Sequence, residues 1–259
     1  MIYKAFLIKN LTNMHVGSGD NNFGVVDNLV QRDPVTEHPT IHSSSLKGAL
    51  REYCKGDNFV DKIFGSEKSS GSNRFFQANL LAVPVRSNKN PYFMATCSSV
   101  IREFIDNLKN FDINSDKLDE FKKFADLADI NPQPENVFIH HKEPVRIEDY
   151  NAKYNEKIPE ECSYIGSNIA LFPDNDFKQI TKFLPVIARN CLENGQSTNL
   201  WYEEIVPRKS VFYFIVGIDK TEDKHFTEAF EKKITSGTVQ IGGNATIGYG
   251  FVKISKIGG

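Results

Sequence analysis

The sequence predicts an α+β fold, an antiparallel sheet backed by helices, on three observations. Strand-like apolar runs open and close the chain, as IYKAFLIK at 2–9 and as SVFYFIVGI, TVQIGG and FVKISKI near the end. Segments of helical periodicity lie between these runs. The 20 Phe and 9 Tyr supply the bulk needed for a sheet packed on helices.

The elements follow in order. The β-branched and aromatic stretch 2–9 reads as a buried strand. The Gly- and Asp-rich stretch His15 to Gly24 reads as a loop, and Asp27 sits inside the short apolar run Val25 to Gln31. Asp33-Pro34 signals a turn. Leu46, Ala49, Leu50, Tyr53 and Cys54 have helical spacing behind Ser44 and Ser45, so a serine-capped helix is expected there. Strand character returns at FFQANLLAVPV (75–85). Helical spacing recurs at Val100 to Leu108, and again at Leu118 to Ala128 in a charged, more exposed segment. Pro132 to Gly166 is polar and proline-bearing, which suggests a protruding hairpin or loop insertion. Phe177, Ile180, Leu184, Ile187, Ala188 and Cys191 predict a helix capped by Asp174, kinked at Pro185 and stopped near Gly195. A ferredoxin-like β-α-β-β-α-β unit can be drawn from the two ends with the middle inserted. No internal repeat is visible, so 1–259 reads as one elaborated domain.

Charge narrows the function classes. There are 31 basic and 33 acidic side chains, a net charge of −2. A protein that wraps nucleic acid unaided is usually strongly basic, so any such binding must use a local patch and backbone amides. Cys54, Cys97, Cys162 and Cys191 stand far apart with no C-x-x-C pair, which argues against structural zinc and fits a reducing cytoplasm. No apolar run reaches the ~20 residues that span a bilayer. The N-terminus shows no cleavable-signal pattern, so a cytoplasmic protein with no membrane partner is expected.

Two segments carry binding chemistry. IGGNATIGYGF contains Gly242, Gly243, Asn244, Gly248 and Gly250, dense enough to bring backbone close to a ligand. A strand follows it, without the Lys-Ser/Thr and helix of a P-loop, so nucleotide hydrolysis of that type is rejected. A tight hairpin is the bland alternative. Ser44, Ser45, Lys47 and Arg51 open a helix, where unpaired amides and the macrodipole favour an anion and the two cations share a face. A capped helix with a solvated basic face is the alternative there.

Taken together, LTNMHVGSGD, GVVDNLVQRDPVTEHPTIHSSSLKGALRE and IGGNATIGYGF resemble the RAMP proteins of CRISPR systems. LLAVPVRS, NLWYEEIVP and GGNATIGYG are similar to the backbone subunits of Cmr-type (type III-B) complexes. The family usually shows Pro-Gly where this chain has His42-Ser43. The resemblance implies a ferredoxin-like, RRM-like palm with an inserted thumb, for which 132–166 is the candidate, and extra helices. It implies copies stacked in a helical filament along a CRISPR guide RNA, with other Cmr subunits and a target single-stranded RNA as partners. It also implies endonucleolytic cleavage of that target at regular intervals.

The family's loop aspartate falls on Asp27. A divalent metal, Mg²⁺ or Mn²⁺, would be held weakly by Asp27 and completed by RNA phosphates. His15 is a candidate for proton transfer and Glu203 for the same cleft; a satisfied loop histidine and an exposed strand carboxylate are their alternatives. Glu204 is expected on the opposite face of the strand. His140 and His141 are adjacent on a strand, point oppositely and are set aside as metal ligands. A purely structural RNA-binding filament subunit is the competing function, and a small-molecule phosphate enzyme a third.

Overall fold

In the computed structural model the described residues are 1–19, 24–113, 118–220 and 224–258, without the side chains of 118–120. Residues 20–23 of the expected His15–Gly24 loop lie outside them.

The chain is α+β, as expected. Its centre is VFYFIVGI, the strand Val211–Ile218, buried at all eight positions. A continuous apolar run with no alternation marks a strand covered on both faces. Numbered in chain order, the longer strands are β1 (Ile2–Asn10), β2 (Ala78–Val85), β3 (Phe93–Cys97), β4 (Val137–Ile139), β5 (Val145–Ile147), β6 (Tyr150–Tyr154) and β7 (Ile169–Phe172). They continue with β8 (Val186–Glu193), β9 (Gln196–Glu204), β10 (Val211–Ile218), β11 (Thr238–Gln240) and β12 (Phe251–Lys256). The helices used below are α1 (Ser43–Tyr53), α2 (Ser98–Asn110), α3 (Leu118–Asp126), α4 (Asp174–Lys182) and α5 (Lys224–Ser236).

One large sheet runs in the order β11-β12-β1-β10-β2-β3-β7-β4-β6-β5. Within it, β12, β1, β10 and β2 are neighbours, and all three pairings are antiparallel. Phe6 and Phe214, opposite each other in register, stack with ring centroids 5.2 Å apart. Aromatic clusters lock helices to this sheet. Phe104 of α2 packs on Tyr213 (4.8 Å) and Phe124 (5.9 Å). Phe230 of α5 meets Phe64 and Phe75 edge-on.

Four expectations are corrected. The 132–166 stretch does not protrude: β4 pairs β7 and β6 pairs β4, so it extends the main sheet. Its short apolar runs are the reason, since Val137, Ile139, Val145, Ile147 and Ile158 are all buried. The helix expected through Cys191 stops at Lys182. Pro185 has no N–H to continue it, and β8 begins at once. β8 and β9 form a hairpin turning at Asn194 (φ 52°) and Gly195 (φ 80°), the left-handed pair that a two-residue hairpin turn requires. The segment holding α3 is not an exposed periphery, because Phe124 and Leu127 are fully buried. Finally, no serine caps α1: its N-cap is His42, with no side-chain cap bond.

Candidate functional site

Three consecutive residues at the end of β9, Tyr202, Glu203 and Glu204, bring the sequence-predicted site together. At the strand rise of about 3.3 Å per residue they span only about 7 Å.

Tyr202 holds Asp27. The Tyr202 N–H donates to Asp27 Oδ2 (2.7 Å), and the Asp27 N–H returns a bond to the Tyr202 carbonyl (3.1 Å). Asp27 is exposed, so its carboxylate is fixed at one oxygen while remaining accessible to a ligand. The strand thus orients the acid through its own backbone.

Glu203 holds the glycine loop. Its Oε1 accepts from Asn244 Nδ2 (2.8 Å) and lies 3.0 Å from Arg189 Nη2, whose guanidinium stacks over the Tyr249 ring at 4.6 Å. Arg189 Nε and Nη2 have no aligned hydrogen-bond acceptor among the described residues, so that contact is an ion pair by proximity. Glu203 is 4% exposed, which corrects the expectation of a solvated strand carboxylate. With a cation and an amide on it, it is satisfied rather than open.

Glu204 holds the His15 segment. Its carbonyl lies 2.7 Å from His15 Nδ1. A carbonyl only accepts, so Nδ1 carries the proton and, in the neutral ring, Nε2 has the lone pair. A Cβ on Gly17 would come within 3.0 Å of Nε2, so the glycine keeps that nitrogen uncovered. The Glu204 carboxylate, 3% exposed, points away from Glu203 as alternation demands, but into a buried pair. Arg32 Nη2 sits 2.5 Å from Oε1, and the Val30 N–H donates to Oε2 (3.1 Å). Arg32 also donates to the carbonyls of Glu37, Thr181 and Lys182.

The glycine loop closes over the same segment. Gly243 N–H donates to His15 O (2.9 Å) and Gly250 N–H to Asn13 O (2.8 Å). A Cβ at Gly242 would stand 2.3 Å from His15 O and one at Gly250 2.0 Å from Ile241 O, and both have positive φ. Backbone passes too close there for any side chain. Gly248 is also at positive φ but open.

Gln31 joins α1 to this assembly. Buried, it donates from Nε2 to Gly17 O (3.2 Å) and Ser45 Oγ (2.9 Å), and accepts the His42 N–H (2.8 Å). Ser45 therefore faces the site while Ser44 is exposed beside it. Lys47 and Arg51 are not gathered there. They line a separate cleft with the segment 65–75.

The structure brings the sequence-predicted Asp27, His15, Glu203 and glycines to one strand end, and adds Gln31, Arg32, Arg189, Tyr202 and the buried role of Glu204, which the sequence had not pointed to. The Asn194-Gly195 pair was the overlooked signal, since it announces the hairpin whose arms carry three of the missed residues.

As to a metal, the described residues hold no group of three or more His, Cys, Asp or Glu side chains arranged to cage an ion. Glu203 and Glu204 are committed to Arg189 and Arg32. Asp27 fits one mode, a single-carboxylate contact to Mg²⁺ or Mn²⁺ with the remaining ligands drawn from water and substrate phosphate. No helix among the described residues is long and apolar enough to cross a membrane.

Comparison with known proteins identifies the family and the fold. A curated relative, the "CRISPR system Cmr endoribonuclease Cmr4" of Pyrococcus furiosus, is 29% identical over 97% of this chain and 95% of its own. A solved type III-B Cmr-beta complex bound to cognate target RNA contains a chain of the same fold. Its TM-score is 0.82 at 20% identity, covering 99% of this chain and 97% of that one. Oligomeric Cmr4 from Pyrococcus furiosus superposes with a TM-score of 0.75 at 24% identity, over 99% and 98% of the two chains. The sequence profile of the RAMP superfamily matches residues 7–253, and the chain belongs to that superfamily.

Proposed function

We propose that this chain is a guide-RNA-binding backbone subunit of a type III-B CRISPR effector complex and cleaves complementary target RNA within it. The observation that carries the reading is the Tyr202–Glu204 segment. It presents an exposed, oriented Asp27 beside a glycine loop and a histidine with a defined lone pair. The relative at 29% identity is named an endoribonuclease of such a system, and two superposing structures are a target-bound complex and an oligomer.

The four antiparallel strands β12-β1-β10-β2, with α1 and α5 in the connections, have the β-α-β-β-α-β order of a ferredoxin-like palm. The β8–β9 hairpin suits the thumb role better than 132–166. It leaves the main sheet, and Val186, Leu192, Leu200 and Tyr202 are exposed along it. Apolar side chains at that position can wedge between stacked bases and splay a nucleotide. Splaying turns the 2′-hydroxyl in line with the adjacent phosphorus.

Asp27 then orients the linkage and provides the site for a divalent cation. When bound, such a cation neutralises charge on the phosphate. In this reading His15 Nε2 accepts the proton of the 2′-hydroxyl as that oxygen bonds to phosphorus, while the P–O5′ bond breaks and the departing 5′-oxygen takes a proton from water. Glu203, paired with Arg189, positions Asn244 and hence the loop that grips the guide. The other partners in this reading are copies of the chain and further Cmr subunits.

Asp27→Asn is the discriminating variant. The amide oxygen still accepts the Tyr202 N–H, so assembly and guide binding should persist. Target cleavage by the reconstituted complex should fall by roughly 10²-fold or more. Cleavage at the wild-type rate would leave the chain a structural filament subunit.

A further inference from the structure

The cleft behind α1 has an organisation that the site above does not use. Its volume is about 990 Å³, and Lys47, Arg51, Lys68 and Arg74 line it against a single acid, Glu67. A chain with net charge −2 therefore gathers a local excess of two positive charges there, four cations against Glu67 and against Asp61, which lies 3.3 Å from Arg51. Among the described residues the Lys47 and Lys68 ammonium groups have no carboxylate partner.

The far wall is built to hold its shape. It is the tight hairpin 65–71, with Lys68 in its turn. Arg51 donates to Gly65 O, and Arg74 to Gly71 O (2.6 Å), one guanidinium at each foot. Gly65 (φ +89°) and Gly71 press backbone against backbone, where a Cβ would meet main-chain atoms at 2.7 Å and 2.4 Å. The floor is apolar: Phe64 and Phe75 stack face to face, centroids 5.0 Å apart. An apolar floor lowers the local dielectric and strengthens every charge above it.

We infer that this cleft is a second phosphate-binding channel, taking the sugar–phosphate backbone of a single-stranded RNA, with Lys68 and Arg74 as contacts beyond Lys47 and Arg51. The inference rests on the RNA-binding reading of the chain and extends the track from α1 to the 65–71 hairpin. Cations set on both walls of an open cleft suit a polyanion that passes through. A free nucleotide would need an enclosed pocket with its own base-reading groups.

The test is fluorescence anisotropy of a labelled single-stranded RNA with the full chain, across a salt series. Each phosphate contact on a single strand contributes about 0.7 to the slope of log K against log salt. Lys68→Ala should lower that slope by about 0.7, and Lys68→Ala with Arg74→Gln by about 1.4. Lys68 is exposed and its ammonium makes no bond among the described residues, so Lys68→Ala leaves the fold intact. If Lys47→Ala changes the slope and the other two variants do not, the channel is overturned while RNA binding stands. If wild type shows no salt-dependent binding, the RNA-binding reading falls and the channel with it. Displacement of the RNA by millimolar ATP at equal occupancy would make the cleft a nucleotide site and also overturn the inference.

Discussion

Arg32→Ala tests whether the end of β9 is held by charge. Glu204 is 3% exposed and its Oε1 lies 2.5 Å from Arg32 Nη2, with only the Val30 N–H on its other oxygen. Removing the guanidinium strands a buried carboxylate, which typically costs about 3–5 kcal/mol. The variant also frees the carbonyls of Glu37 and Lys182, which are exposed, and of Thr181, which is buried and adds to the loss. For a chain of this size, 1 kcal/mol moves Tm by about 2–4 °C, so the expected drop is roughly 6–20 °C. Glu204→Gln removes the charge and keeps an oxygen for Val30 N–H, so alone it should cost about 1–2 kcal/mol. The decisive arm is the double variant. With no buried charge left to strand, Arg32→Ala in the Glu204→Gln background should cost at least about 1.5 kcal/mol less than in wild type. Urea unfolding at pH 7 measures all four corners of the cycle. Full additivity, or a loss below about 1 kcal/mol for Arg32→Ala, would refute the claim that this pair fixes the strand.

Other consequences are equally direct. Burial, reinforced by Lys178 and Arg32, holds the His38 imidazole down at about 4, well below its usual 6.5, beside Thr181 Oγ1 (2.9 Å). The unfolded chain therefore binds the extra proton between those values. Stability is whole above pH 6.5 and declines toward pH 4, by up to about 3 kcal/mol from this group. His38→Gln should flatten that part of the stability–pH curve relative to wild type, and an unchanged curve would rule His38 out. Gly242→Ala should destabilise by more than about 2 kcal/mol and weaken RNA binding, because its Cβ meets His15 O at 2.3 Å. Gly248→Ala, with open space, should cost only the ~1 kcal/mol of positive φ. Thermal melts and RNA titrations of the two separate steric docking from mere flexibility. On the hairpin, Leu192→Ser with Leu200→Ser should leave stability within about 0.5 kcal/mol, since both side chains are exposed, yet reduce target cleavage in the assembled complex.

Legibility followed a physical divide. β1, α2 and β10 were readable because their periodicity or continuous apolarity depends only on local sequence. Glycines 242 and 250 were readable because glycine density marks backbone that must approach something, here His15 O and Ile241 O. What failed was of two kinds. Helical spacing from Phe177 to Cys191 was a coincidence of apolar positions, and Pro185 and the Asn194-Gly195 turn overrode it. The polar 132–166 stretch looked like an excursion because composition averages over its few buried residues, whereas Val137, Ile139, Val145 and Ile147 suffice to stitch β4–β6 into the sheet. Gln31 and Arg32 were invisible for another reason: their partners lie at 17, 45, 181 and 204, separations that no local pattern encodes.

The arrangement also explains how a nearly neutral chain can hold a polyanion at one place and act on it at another. In the proposed reading the parts that would grip RNA beside Asp27, the glycine loop and the start of α1, carry almost no formal charge and present backbone. Their positions are instead fixed by buried charge pairs further in, Glu203 with Arg189 and Glu204 with Arg32. Both carboxylates belong to β9, and Arg189 lies on the opposite arm of the same hairpin. A movement of the hairpin therefore has to displace Asp27 through Tyr202, the glycine loop through Asn244 and His15 through the Glu204 carbonyl, all together. Orienting groups on three loops through one rigid strand would keep them in mutual register under the proposed engagement of RNA by the hairpin, which loops anchored independently could not do.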